Sequence, residues 1–395
     1  MSADFSPATD VVPDAPAAAE VADGGPDLPW SGERRMLAAC RLEPVDATPV
    51  WFMRQAGRSL AAYRALRERY DILTLAKTPE LSAEVTVMPV RELGVDAAVL
   101  FADIMLPLEP MGISLEIQPE VGPIIHNPIR SPEDVARLRS FEPAEDLAYL
   151  MQAIRLVRAE LDGKQAVIGF SGSPFTLACY LIEGRPSREY ALARTFMYRE
   201  PKAWHELMTR LADMIVGYLG AQIEAGVQVV QLFDSWVGML GPADYEAYVL
   251  PHVRSIFERV TAVPTIHFGT GSAGLLELMS AAGGDLQGID GRQSLAVAWS
   301  RLGAGRGVQG NLDGTRALAG WEPALAGAKR VLAEAGGRPG HVFNLGHGVL
   351  PGTEPDVLRR LVDFVHETTA RASGEPAAGG SAAEVPSARP EGARR

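Results

Sequence analysis

Cysteine is scarce in this chain of 395 residues, which contains only Cys40 and Cys179. Two cysteines allow neither a disulfide framework nor a cysteine-rich zinc site. Basic residues are also in deficit, because 37 Lys and Arg stand against 49 Asp and Glu, for a net charge of −12. This balance argues against a nucleic-acid-binding surface, which needs cations clustered over an extended face.

Long apolar runs are missing as well, and none approaches the roughly 18–20 residues of a membrane-spanning helix. The first 28 residues contain six acidic residues and no basic one, unlike a signal peptide. We therefore expect a cytoplasmic protein that binds neither membranes nor nucleic acid. Residues 1–28 and 372–395, rich in Ala, Pro and Gly, are expected to be disordered tails around one folded domain at 30–371.

Short apolar runs alternate with longer helical patterns through residues 30–371. The clearest predicted helices are 79–93, 144–160, 200–225, 242–261, 321–335 and 354–371. Eight strands are predicted, at 49–53, 97–101, 166–170, 228–233, 264–268, 286–289, 307–309 and 341–345. Eight such units in series predict an α/β fold in which a parallel sheet closes into a (β/α)8 barrel of the TIM type. A doubly wound open sheet is the alternative, since strand order cannot be read from one sequence.

Polar side chains gather where these predicted strands end, which is where barrel enzymes carry their chemistry. Five arginines fall within residues 54–69, and the first two, Arg54 and Arg58, follow the first strand and border Gly57. Asp103, Ser235 and His347 follow three other strands. Guanidinium binds carboxylate through two parallel hydrogen bonds and stays charged at any relevant pH. Several arginines beside one or two carboxylates predict a site for an anionic ligand with polar N–H groups.

Six segments in this chain resemble those of the uroporphyrinogen decarboxylase family. They read Arg-Gln-Ala-Gly-Arg at 54–58, Asp-Ala-Ala-Val-Leu-Phe-Ala-Asp-Ile at 96–104, Gly-Phe-Ser-Gly-Ser-Pro-Phe-Thr-Leu at 169–177, Gln-Leu-Phe-Asp-Ser-Trp at 231–236, Gln-Gly-Asn-Leu-Asp at 309–313 and Asn-Leu-Gly-His-Gly at 344–348. The segments occur in the family's order and span about residues 36–369. The chain departs from the family pattern at 59–62, where Ser-Leu-Ala-Ala replaces Tyr-Leu-Pro-Glu, and at Gly314, where the family has Pro.

The resemblance implies a homodimeric (β/α)8 barrel of the haem pathway that works without a cofactor or metal. Its reaction converts the four acetate side chains of uroporphyrinogen III into methyl groups, giving coproporphyrinogen III and four CO2. No cofactor is needed because a protonated pyrrole ring accepts the electron pair that each departing carboxylate leaves behind.

The resemblance also implies roles for individual residues. Arg54 and Arg58 hold substrate carboxylates, within a substrate-binding segment that includes Gln55, Ala56 and Gly57, and Arg67 corresponds to a further family arginine. Asp103 gathers the four pyrrole N–H groups and stabilises the cationic intermediate. Tyr180, Ser235 and His347 complete the substrate site. The predicted catalytic residues are Asp103, Arg54, Tyr180 and His347.

Three other functions fit parts of the sequence. Gly269-Thr-Gly-Ser-Ala-Gly274, with Asp290 ending the next strand, matches the fingerprint of an NAD-dependent oxidoreductase, but it begins mid-chain and explains none of the arginines. A zinc- or corrinoid-dependent methyltransferase of the same superfamily would use a His-x-Cys pair, which this sequence lacks. A tetrapyrrole carrier would bind the ring without releasing CO2.

Overall fold

A computed structural model describes residues 30–118 and 121–371; the tails predicted at 1–28 and 372–395 lie outside the described residues. The strands are β1 (Ala97–Val99), β2 (Leu115–Gln118), β3 (Gly122–Ile125), β4 (Ala166–Gly172), β5 (Val229–Asp234), β6 (Thr265–Gly269), β7 (Leu286–Gly288), β8 (Gly307–Gln309) and β9 (His341–Val342). The helices are α1 (Gly32–Cys40), α2 (Ala61–Arg69), α3 (Ile72–Lys77), α4 (Pro79–Leu93), α5 (Pro132–Ala136), α6 (Pro143–Asp146), α7 (Ala148–Leu161), α8 (Pro174–Glu183), α9 (Ala191–Arg199), α10 (Pro201–Ala225), α11 (Pro242–Tyr248), α12 (Leu250–Arg259), α13 (Leu276–Ala282), α14 (Leu295–Leu302), α15 (Gly314–Leu318), α16 (Trp321–Ala335) and α17 (Pro355–Thr369).

Seven strands form one parallel sheet in the order β1-β4-β5-β6-β7-β8-β9. The predicted first strand closes this sheet into a barrel. Val50 bridges in parallel to Phe343 just after β9, and on the other side the Asp96 amide donates to the Val50 carbonyl at 2.8 Å. The (β/α)8 barrel is therefore confirmed, and the open doubly wound sheet is wrong.

Two predicted helices are divided in the structure. The helix predicted at 242–261 becomes α11 and α12, because Pro251 has no N–H to continue the first helix and instead sits in the first turn of the second. The helix predicted at 144–160 becomes α6 and α7, separated at Leu147. The sequence interpretation also missed the antiparallel hairpin of β2 and β3, inserted after β1.

A buried ion network fastens the closing strand at the end of the barrel where the strands begin. The Asp96 carboxylate is 3% exposed and accepts from the Arg35 guanidinium at 2.5 Å, the Val50 amide at 2.7 Å and His366 Nε2 at 2.8 Å. Arg35 also forms two hydrogen bonds with Asp46. One carboxylate thus joins α1, the first strand and α17.

Asp96→Ala is expected to lower the free energy of unfolding by about 3–5 kcal/mol, because it leaves buried donors without their acceptor. Urea denaturation followed by circular dichroism measures this loss. Asp213→Ala serves as the control, because Asp213 forms an exposed ion pair with Arg259 and its removal should change stability by less than about 1 kcal/mol. Equal effects of the two changes would contradict the proposed role of Asp96.

Candidate active site

Arg54 lies at the centre of the polar residues at the carboxyl end of the barrel. Its backbone adopts φ +59°, a left-handed conformation that is rare for a residue with a side chain. The side chain runs directly over Gly348: a Cβ added there would lie 2.5 Å from Arg54 Cδ. A side chain at position 348 would clash with Arg54, so glycine is required there. The loop after the first strand therefore contacts the loop that carries His347.

Asp103 follows β1 and is half-buried beside Arg54. Burial raises the pKa of its carboxyl group, while a 2.8 Å hydrogen bond from the Met105 amide and the charge of Arg54 lower it in part. That bond uses Oδ1, and among the described residues no hydrogen bond occupies Oδ2. A partly dehydrated carboxylate with one free oxygen is suited to accepting N–H groups from a ligand.

Tyr180 on α8 lies close to both of these charges. Burial and the negative charge of Asp103 raise the pKa of its hydroxyl to about 12, with Arg54 acting in the opposite direction. The Tyr180 ring packs edge-on against Trp236 at 6.0 Å between centroids, and the Tyr190 ring also packs against Trp236, at 5.1 Å. Tyr180 is therefore a neutral hydroxyl held in place by aromatic neighbours.

His347 lies near two guanidinium groups, those of Arg54 and Arg292. It is open to solvent on one side, and burial of the rest of its ring, together with these two positive charges, lowers its pKa. A cavity of about 360 Å³ opens beside it, lined by Thr270, Asp290, Gly291, Arg292, Asp313, Gly314, Gly346 and His347. At neutral pH the imidazole is therefore uncharged.

The other predicted site residues are placed less centrally. Arg58 is exposed and Arg67 is half-buried, and the charges of both act on Tyr63, whose ring packs against Phe101 after β1. Ser235 is half-buried, and its carbonyl accepts from Thr270 Oγ1. These residues all follow or face strand ends at the same end of the barrel.

Gln55 points into the core rather than toward the cleft. Its side chain is fully buried, with Oε1 accepting from the Phe52 amide at 3.0 Å and Nε2 donating to the Ala97 carbonyl at 2.9 Å. Its amide thereby ties the first strand to β1. Ala56 and Gly57 are half-buried in the turn that separates Arg54 from Arg58. Of Gln55, only the backbone carbonyl remains for a ligand, because its N–H donates to the Phe52 carbonyl at 3.0 Å.

The family model described as uroporphyrinogen decarboxylase (URO-D) matches residues 31–368. A uroporphyrinogen decarboxylase of Roseiflexus sp. (strain RS-1) is 53% identical over 343 residues, covering 85% of this chain and 99% of the relative. One from Sorangium cellulosum (strain So ce56) is 52% identical over 345 residues, covering 87% and 99%. This chain belongs to the uroporphyrinogen decarboxylase family. It is thus a decarboxylase of porphyrin biosynthesis, a carboxy-lyase.

Comparison with solved structures supports the barrel fold of this uroporphyrinogen decarboxylase family member. A methyltransferase from Methanosarcina mazei superposes with a TM-score of 0.69 at 18% identity, covering 86% of this chain and 99% of the other. Identity this low shows a shared fold and nothing about shared chemistry. None of the described helices has the length and apolar character needed to cross a membrane.

The dinucleotide fingerprint at 269–274 is used for packing in this decarboxylase barrel. The Gly271 amide, which would face a pyrophosphate, instead donates to Asp290 Oδ2 at 2.6 Å. Asp290 Oδ1 accepts from the Arg292 amide at 2.9 Å, so the acid expected to bind a ribose is already occupied.

The two cysteines also fit poorly as zinc ligands, since Cys40 and Cys179 are both buried and burial raises the pKa of each thiol.

Arg292 is the residue that the sequence interpretation missed. Its guanidinium bonds Asp290 at 3.1 Å, while 71% of its side chain remains exposed toward the cavity beside His347. An arginine two residues after a strand-end aspartate was a usable signal, but it lies outside the segments that carry the resemblance. The sequence interpretation also missed a row of aromatic rings. The ring centroids lie 5.5 Å apart for Phe170 and Phe233, 6.0 Å for Phe233 and Phe268, and 6.4 Å for Phe268 and His347.

Proposed function

We propose that this protein removes the four acetate carboxyl groups of uroporphyrinogen III as CO2, giving coproporphyrinogen III. The observation that carries the proposal is that Arg54 lies near enough to Asp103 for its positive charge to act on the Asp103 carboxyl group. Arg54 can hold a carboxylate while the partly dehydrated Asp103 carboxylate accepts pyrrole N–H groups. Opposite charges side by side match a substrate that has carboxylates at its rim and N–H donors at its centre.

The proposed chemistry uses the substrate ring as the electron sink. A proton adds to the ring carbon next to the one that carries the acetate, which gives a cationic, iminium-like ring conjugated with the acetate-bearing carbon. The bond between the side-chain methylene and its carboxylate then breaks, CO2 leaves, and the electron pair neutralises the ring. Protonation of the exocyclic methylene yields the methyl group, and loss of the first proton from the ring carbon restores the pyrrole. Each acetate therefore consumes one net proton and releases one CO2. We propose that this sequence needs no cofactor.

Asp103 stabilises the cationic ring electrostatically, as a fixed charge in a site that excludes much of the water. Arg54 positions the reacting acetate and relays a proton from the substrate or from water. Tyr180 and His347 are both uncharged at neutral pH and serve as hydrogen-bond partners at the edge of the ring. Arg58, Arg67 and Ser235 bind the remaining side chains, with backbone groups of residues 55–57.

Arg292 is proposed as an additional carboxylate ligand, in the cavity that it lines together with His347. Asp290 uses part of its guanidinium, and the remaining N–H groups can meet a peripheral carboxylate of the substrate. Arg292→Ala is expected to raise KM roughly 5- to 20-fold with little change in kcat, which corresponds to about 1–2 kcal/mol of binding. Steady-state kinetics under anaerobic conditions measures this. Arg330→Ala, at an exposed pair with Glu334, is the control; a KM equal to wild type in Arg292→Ala would contradict the assignment.

The working form is proposed to be a cytoplasmic homodimer whose catalytic domain covers residues 30–371. Support for the domain comes from the family match over residues 31–368. Support for the compartment comes from the acidic composition and the lack of membrane-type segments in the sequence. Light scattering coupled to size-exclusion chromatography tests the dimer directly.

Anaerobic incubation with uroporphyrinogen III tests the function. The products are oxidised to porphyrins and separated by chromatography according to their number of carboxylates. We expect the eight-carboxylate substrate to be converted through intermediates to the four-carboxylate product. Binding without any loss of CO2 would identify a carrier instead, and no change together with zinc-dependent methyl transfer would favour the methyltransferase alternative.

A further inference from the structure

A fully buried acid that the proposed chemistry does not use lies at the carboxyl end of β5. Asp234 ends β5 and is 0% exposed. Its Oδ1 accepts from Thr176 Oγ1 at 3.1 Å. The Ser173 hydroxyl lies close enough to lower the pKa of Asp234, but neither it nor Oδ2 has a hydrogen bond of normal geometry among the described residues. Burial raises the pKa of Asp234 to about 7. Burial of a carboxyl group lowers the free energy of unfolding unless its oxygens are fully hydrogen-bonded. This cost indicates that Asp234 has a role other than stability.

Thr176 links this acid to two parts of the candidate site. It lies in the first turn of α8, one helical turn before Tyr180, so the two side chains share a face of the helix. Thr176 Oγ1 also accepts from the Trp236 amide at 3.4 Å. Asp234 and Thr176 thus connect the end of β5, the loop that follows it and the start of α8.

Both connected parts carry residues of the proposed substrate site. The loop after Asp234 contains Ser235 and Trp236, and the Trp236 ring packs against Tyr180. Tyr180 in turn lies near Asp103 and Arg54. A displacement of the loop relative to α8 would therefore move Ser235 and Tyr180 with respect to Asp103.

We propose that Asp234, acting through the Thr176 hydroxyl, is a positioning residue that holds Tyr180 and Ser235 in register with Asp103. This inference rests on the proposed decarboxylase function. Asp234 does not touch the substrate, since none of its surface is exposed. Its effect is on the geometry of the reacting complex, where small misplacements of groups reduce the rate strongly.

Thr176→Val removes the linking hydroxyl with little change in volume, and Thr176→Ser restores it. We expect the Val variant to lower kcat about 10-fold or more, with KM within about 2-fold of wild type, and to accumulate partly decarboxylated porphyrins. The Ser variant should keep kcat within about 3-fold of wild type. Asp234→Ala should resemble Thr176→Val, whereas Asp234→Asn, which keeps an oxygen acceptor for Thr176, should keep most of the activity.

Thr265→Val is the control at the opposite end of the barrel, because Thr265 is itself buried and its hydroxyl donates to the exposed Asp285 at 2.9 Å at the start of β6. It should lower the melting temperature but leave kcat unchanged. Wild-type kcat in both Thr176→Val and Asp234→Ala would overturn the inference, as would equal losses of kcat in Thr176→Val and Thr265→Val. Absence of CO2 release by the wild-type protein would instead contradict the proposed decarboxylase function, and this outcome distinguishes the two failures.

Discussion

Replacement of Asp103 by Asn is expected to lower kcat by about 10²–10³-fold, the loss typical when one preorganised group that stabilises transition-state charge is removed. Asn keeps an oxygen that can accept from the Met105 amide, so the local turn is preserved. It lacks the negative charge that stabilises the cationic ring. Anaerobic kinetics with uroporphyrinogen III measures the change, and kcat within about 3-fold of wild type would remove Asp103 from the mechanism.

The same variant should gain stability relative to wild type as pH rises. Because burial raises the pKa of Asp103, the wild-type protein is fully stabilised below the unfolded-state pKa and loses that stabilisation as pH rises through the folded-state pKa. Asn does not titrate, so its melting temperature should increase relative to wild type between pH 4 and pH 8. Asp162→Asn, at an exposed left-handed position, is the control and should alter neither kcat nor this difference.

Arg54→Gly is expected to lower kcat/KM by about 10²-fold or more while leaving the protein as stable or more stable. The loss follows from about 3 kcal/mol of charge-assisted hydrogen bonding to a substrate carboxylate. Glycine adopts φ +59° without strain, which offsets the greater flexibility it adds to the unfolded chain. We expect the free energy of unfolding to rise by up to about 1 kcal/mol.

Asp162→Gly separates these two effects. Asp162 also has a positive φ, at 46°, but caps the exposed end of α7. This variant should show a similar gain in stability with unchanged kcat/KM. If Arg54→Gly kept wild-type kcat/KM, the strained arginine would have no role in holding the substrate.

The barrel could be predicted from the sequence because each buried strand is a short apolar run and each such run is followed by polar residues. The strand bounds were close for β8, at Gly307–Gln309, and for helices α4 and α16. The predicted strand at 341–345 is shorter as β9, since only His341 and Val342 continue the ladder with β8. The β2–β3 hairpin was not predicted because each strand has only four residues, most of them half-buried. β2 does alternate apolar and polar side chains, but β3 begins Gly-Pro, which is atypical of a strand.

The candidate site could be predicted as a set of strand-end residues but not as an arrangement. The sequence placed Arg54, Asp103 and His347 after strands, yet gave no indication of the positive φ of Arg54 or of its packing over Gly348. These depend on contacts between distant segments. The buried side-chain amide of Gln55 could not be predicted either, because a glutamine that follows an arginine and precedes Ala-Gly looks like part of a polar loop.

A structure of the protein bound anaerobically to coproporphyrinogen III tests the central claim most directly. We predict that the four pyrrole nitrogens lie within hydrogen-bonding distance of the Asp103 carboxylate, with substrate carboxylates at Arg54 and Arg58 and a further one at Arg292. A ring bound elsewhere on the barrel, or bound in this cleft with its nitrogens turned away from Asp103, would contradict the account.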